Sequence, residues 1–133
     1  KELNQGPFTL RAYGKHPLQK AWQIEHKDQG LHILYSPHGF KWNGKAPLPK
    51  PEPKAWITSV RAYHLPWWLG GTVALAIQHQ TKLLDSIKPN ILIRTHDRDK
   101  EGKGWLRKWT QREEPVGLAV WKSVKAGQHI SID

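Results

Sequence analysis

The sequence predicts an α+β domain in which one central helix packs on a curved, mainly antiparallel sheet or half-barrel, in the approximate order ββββ-α-ββββ. Three observations lead there. Short runs of alternating apolar and polar residues recur along the chain, bounded by Gly, Pro, Asn or Asp. One stretch, 72–87, instead spaces its apolar residues by three and four. The length, 133 residues, suits one domain, since domains most often run to roughly 100–150 residues. The chain is read as a single domain, 1–133. The absence of Met even at position 1 leads to the expectation of a processed product, a polyprotein piece or a domain cut from a longer chain.

The first strand is expected at Phe8–Tyr13, opened by Gly6-Pro7 and ended by Gly14-Lys15-His16-Pro17. Ala21–His26 and Leu31–Ser36 flank Asp28-Gln29-Gly30, and a three-residue loop closed by a positive-φ Gly30 makes them a hairpin. Residues 37–54 then turn to Gly, Lys and Pro, with Pro47, Pro49, Pro51 and Pro53 at alternate positions, which predicts a long exposed loop. Ala55–His64 is a β-branched and aromatic run that predicts one strand, ended by Leu65-Pro66. Thr72 is placed as the N-cap of the helix and Lys88-Pro89 as its stop. Its stripe of Val73, Ala76, Ile77, Leu83, Leu84 and Ile87 faces the core. Strands at Ile91–His96, Trp105–Gln111, Val116–Val124 and Gln128–Ile132 complete an antiparallel meander, with a polar turn at Asp97–Gly104.

Composition bounds the function. There is no Cys, which excludes disulfides, thiolate zinc, iron–sulfur clusters and a cysteine nucleophile. The longest stretch without formal charge, Ala62–Thr81, is interrupted by His64, Pro66, Gly70 and Gly71, and its apolar heart is too short for the ~20 residues of a spanning helix. No signal peptide is visible at the N-terminus, so an intracellular or virion setting is expected. The 21 Lys and Arg against 11 Asp and Glu give a net charge of +10, and the chain holds 8 Trp. A basic chain rich in indoles suits a polyanion whose bases can stack.

The candidate interface is the mixed run from Arg94 to Arg112. Arg94, Arg98, Lys100, Lys103, Arg107, Lys108 and Arg112 outnumber Asp97, Asp99 and Glu101 there, with Trp105 and Trp109 among them. If Trp105–Gln111 is a strand, period-two geometry puts Trp105, Arg107 and Trp109 on one face. Lys41, Trp42 and Lys45 of the Pro-rich loop are a second exposed candidate, while Trp22, Trp56 and Trp121 are read as core and Trp67-Trp68 as a buried or partner-facing pair.

Two further constellations bear on chemistry. A three-residue hairpin loop sets His26 opposite His32, where two imidazoles can divide general-base and general-acid roles in metal-free RNA cleavage. Glu25 and Lys27 have the strand-borne E-x-K form of metal nucleases, but the usual upstream Asp is missing. Asp97, Asp99 and Glu101 read as a salt-bridged turn rather than a Mg²⁺ site. No cofactor motif, metal-ligand spacing or phosphate-cradling Gly loop is present. The leading expectation is a module that binds RNA or single-stranded DNA. The rivals are a protein-interaction or assembly domain of a larger complex or virion, and a small toxin-like RNase using His26 and His32.

Overall fold

The computed structural model describes residues 2–16, 18–45, 47–95, 108–113 and 121–123, with 112–113 and 121–123 as backbone. Along the chain run strands β1 (Glu2–Gln5), β2 (Phe8–Tyr13), β3 (Ala21–His26), β4 (Leu31–Ser36), β5 (Ala55–Thr58), β6 (Ala62–His64), β7 (Thr72–Ala74), β8 (Ile91–Arg94), β9 (Gln111–Glu113) and β10 (Trp121–Ser123). Among the described residues these are joined by one complete α-helix, α1 (Thr81–Ile87), by two 3-10 turns, Trp67–Leu69 and Ile77–Gln80, and by the helical residues 108–109. The class is α+β, mostly sheet with one short helix.

Seven strands form a sheet in the linear order β1-β2-β3-β4-β5-β8-β10, and three form a second in the order β7-β6-β9. The larger sheet is mixed rather than mainly antiparallel. β1 to β4 are an antiparallel meander, but β4–β5, β5–β8 and β8–β10 pair in parallel. Parallel neighbours need a crossover of a dozen or more residues, and segment 37–54 is the one that joins β4 to β5. It is therefore anchored as well as exposed. Lys41, Lys45 and Lys50 lie in solvent while Phe40, Pro49 and Pro53 are buried. Gln23 Nε2 also donates to Pro51 O across 2.9 Å.

The helix differs most from expectation. Thr72 does not cap it, because residues 72–74 pair with β6 as a strand and Ala76 is extended at φ −67°, ψ 155°. Only the last two turns of the predicted stripe are helical. The stop is as expected: Lys88 turns left-handed at φ 40° and donates its backbone N–H to Leu84 O at 2.9 Å, ahead of Pro89. The expected strand Ala55–His64 also breaks in two. Ser59 turns its hydroxyl onto Arg61 O at 2.7 Å, and Val60 O accepts from Ile77 N–H at 3.1 Å instead of a strand neighbour.

The two faces of the larger sheet differ. On one, Gln23, Leu34, Trp56 and Leu92 stand side by side in register and are shut from solvent beneath Phe40, Val60, Ile77, Leu83 and Ile87. Burial of each such large apolar side chain contributes about 1.5–3 kcal/mol. Polar groups within this core are paired. Trp56 Nε1 donates to Ser36 Oγ at 2.8 Å, and Ser36 Oγ donates on to Thr58 Oγ1 at 3.1 Å. Gln80, 2% exposed, accepts from Phe40 N–H at 2.8 Å and directs its amide at Ser59 O, Leu75 O and Ala76 O across 3.3–3.5 Å.

The other face carries Leu3, Leu10, Ile24, Ile33, Ala55 and Ile91 in one continuous row. Trp22, Tyr35, Ile57 and Ile93 form a second row, with the Trp22 and Tyr35 ring centroids 6.1 Å apart. Apart from Ala55 these side chains keep part of their surface in solvent. Trp22, expected in the core, stands on this second face and is partly buried.

Candidate functional site

Three exposed indoles mark the site. Leu65 to Gly71 join β6 to β7 as a loop closed on itself, with Leu65 N–H bonded to Gly71 O at 2.8 Å. Gly70 and Gly71 take φ 109° and 69°, which side chains other than glycine rarely adopt, and their N–H groups return to Trp67 O and Pro66 O. So tight a loop has no interior for two indoles. Trp67 and Trp68 are accordingly 87% and 56% exposed.

β9 lies antiparallel beside β6, with His64 opposite Gln111 and Tyr63 opposite Arg112. That pairing brings the helical residues Lys108 and Trp109 next to the loop. Trp109 is 52% exposed, and its ring meets Trp68 edge to face at 6.4 Å and 72°, a favoured aromatic geometry. His64, Leu65, Pro66, Lys108, Trp109 and Gln111 line an open pocket of about 280 Å³. His64 Nδ1 lies 3.0 Å from Thr72 Oγ1, which fixes the ring against β7.

No protein-family model, curated protein or solved structure matches the chain.

The sequence-predicted residues divide among separate elements. Lys108 and Trp109 meet at the pocket, and Arg112 follows in β9. Residues 108–109 are helical, so the single strand expected over Trp105–Gln111 is not formed and alternate spacing does not describe Trp109. Arg98, Lys103, Trp105 and Arg107 lie outside the described residues, as do Asp97, Asp99 and Glu101. Arg94 closes β8 in the larger sheet, paired with Thr58 and Ser123. Lys41 and Lys45 are exposed on the crossover, whereas Trp42, expected to be free in solvent, packs against the core beside Phe40. Trp67 and Trp68 were legible only as a buried or partner-facing pair, and their exposure removes the buried alternative. The Gly70-Gly71 closure is the signal that places them outside.

The histidine pair is not formed. The hairpin loop has four residues, Lys27 to Gly30, so His26 sits opposite Leu31 and His32 opposite Glu25. Adjacent ladder positions point to opposite faces. His26 packs its ring edge to face on Phe8 at 4.8 Å, and the two imidazoles share no site. Glu25 likewise takes Arg11 as its partner at 2.8 Å, and Arg11 also holds Glu2 at 2.8 Å. Hydrogen bonding and charge from Arg11 pull the Glu2 carboxyl below its ordinary range. Among the described residues no three His, Asp or Glu gather as metal ligands.

Proposed function

We propose that the chain binds single-stranded nucleic acid, RNA or DNA, on the Trp67–Trp68–Trp109 platform. The observation that carries this reading is the convergence of three solvent-facing indoles from two separate segments beside an exposed lysine. Bases of any sequence stack on such rings, at about 1–3 kcal/mol each. Trp67 offers an open indole face for one base, and Trp109, propped edge-on by Trp68, offers a second. Lys108 is the nearest phosphate partner on the platform. Arg98, Lys103 and Arg107 extend the basic run in sequence, and Arg112 follows in β9. The chain's charge of +10 supports attraction to phosphates and predicts that affinity falls steeply with salt. The pocket beside His64 has room for a base edge.

The test is fluorescence titration with poly(U), poly(dT) and duplex DNA across ~50–300 mM salt, where counterion release changes affinity by orders of magnitude. Quenching that prefers single strands and survives moderate salt supports the reading. Trp67→Ala removes a ring that the fold does not bury, and is expected to weaken single-strand binding by about 5–150-fold. Lys108→Ala is expected to lower the salt slope by about one. A folded Trp67→Ala, Trp109→Ala double variant with unchanged affinity refutes the proposal.

A further inference from the structure

We infer that the pocket beside the indole platform holds one nucleobase and selects among bases. It takes the edge that sets a carbonyl beside a ring N–H, as in uracil, thymine and guanine, over the amino edge of cytosine and adenine. Gln111 pairs with that edge and Lys108 sets its polarity. Base selection of this kind rests on the platform reading, to which it adds a preference at a single position.

His64 in β6 stands opposite Gln111 in β9, and side chains directly opposite in an antiparallel pair have Cβ atoms about 4.5–5.5 Å apart. Both line the pocket with Lys108, while Leu65, Pro66 and Trp109 supply its apolar walls. These walls are held before a base arrives. Leu65 is tied through its N–H to Gly71 O at 2.8 Å, the His64 ring lies 3.0 Å from Thr72 Oγ1, and Trp109 meets Trp68 edge to face at 6.4 Å. A site already in place loses less ordering entropy when it binds. The volume, about 280 Å³, falls just below the roughly 300–1,000 Å³ of pockets for drug-sized ligands. One flat ring system suits it, with its face on Trp109 and its edge towards Gln111.

The donors and acceptors around the pocket choose the edge. Gln111 is exposed, and its carboxamide offers an acceptor, Oε1, beside the donors of Nε2. Uracil N3–H with O4, or guanine N1–H with O6, meets that amide through two parallel hydrogen bonds. Turned over, the amide also matches the amino group and ring nitrogen of cytosine or adenine. Lys108 breaks the tie. Its exposed ammonium only donates, so its charge favours a carbonyl oxygen beside it and opposes an amino group. Among the described lining residues no Asp or Glu stands ready to accept that amino group's second N–H. A donor confined without an acceptor is costly, and the carbonyl edge avoids it.

Oligo(U) and oligo(C) of equal length are the probes, because the two bases match in size and differ only at the edge. Tryptophan fluorescence titration at neutral pH and one salt concentration is expected to show oligo(U) binding at least ~5-fold more tightly, the low end of what one bidentate base contact discriminates. Gln111→Leu keeps a side chain of similar bulk without the amide, and is expected to abolish the preference with circular dichroism unchanged. Lys108→Gln is expected to narrow it. Gln111→Glu only accepts, and is expected to turn the preference towards oligo(C), whose N4 amino group donates to a carboxylate. Such a reversal is not produced by misfolding. Equal affinity for the two oligomers in the unsubstituted chain overturns the pocket assignment and leaves the platform standing. A preference for oligo(U) that survives in folded Gln111→Leu does the same. Quenching by neither oligomer refutes the platform reading, and base selection falls with it.

Discussion

Gln80→Met tests the physical account of the core most directly. Gln80 ties three segments together: it accepts from Phe40 N–H of the crossover and directs its amide at the carbonyls of Ser59, Leu75 and Ala76. Met keeps the unbranched shape and nearly the same volume, so the packing change is small. What is lost is the acceptor for a buried N–H. Leaving such a donor unsatisfied costs about 1–3 kcal/mol, while the long 3.3–3.5 Å amide contacts contribute little each. The expected destabilisation is about 2 kcal/mol. For a domain of this size that lowers Tm by about 6–8 °C and the urea midpoint by about 1–1.5 M. Urea unfolding followed by tryptophan fluorescence measures it, because Trp56 is fully buried within this core. A native-like variant whose Tm moves by less than about 1 °C would show that the Phe40 amide does not depend on Gln80, and the latch would have to be abandoned.

Three further outcomes are expected. Gly39→Ala places a Cβ 2.7 Å from Leu75 Cβ at a residue with φ +80°; thermal unfolding is expected to show a loss of at least about 2 kcal/mol, since neither backbone nor neighbour has room to yield. Lys88→Gly relieves the left-handed helix stop at φ 40°, and is expected to add about 0.5–1 kcal/mol in urea unfolding. Burial raises the Tyr13 phenol above its ordinary value, so Tyr13 favours the folded state at neutral pH and that contribution is lost as pH rises through its elevated pKa. Ultraviolet absorbance titration is expected to show a late phenolate step that Tyr13→Phe removes.

Elements set by their own residues were legible in the sequence. The bounds of β2, β3 and β4 follow from Gly6-Pro7, Gly14 and Gly30 around alternating runs, and the end of α1 from Lys88-Pro89. Elements set by distant partners were not. Thr72–Ala74 has nothing helix-breaking in it; it is a strand because Tyr63 and His64 are there to pair with. Parallel pairing of β4, β5 and β8 leaves no local mark, since the ladder partner lies a crossover away. The candidate site shows the same division. Lys108 and Trp109 stood out by composition, but Trp68 joined them only through the β6–β9 pairing. His26 and His32 were separated by one extra loop residue, Lys27, which in a period-two element reverses the face of everything beyond it.

The linear order β4-β5-β8-β10 is also the order in which these strands leave the ribosome. β1 to β4 close through short hairpins with little loop entropy, whereas β5 and β8 must each wait for a long connection to return. The meander needs only short closures, so it is expected to pair first, leaving β4 as the edge onto which β5 and then β8 add. At every intermediate length the growing strand edge faces solvent or a chaperone. Slowing synthesis through 59–90, the stretch between β5 and β8, lengthens the time for which β5 is that edge.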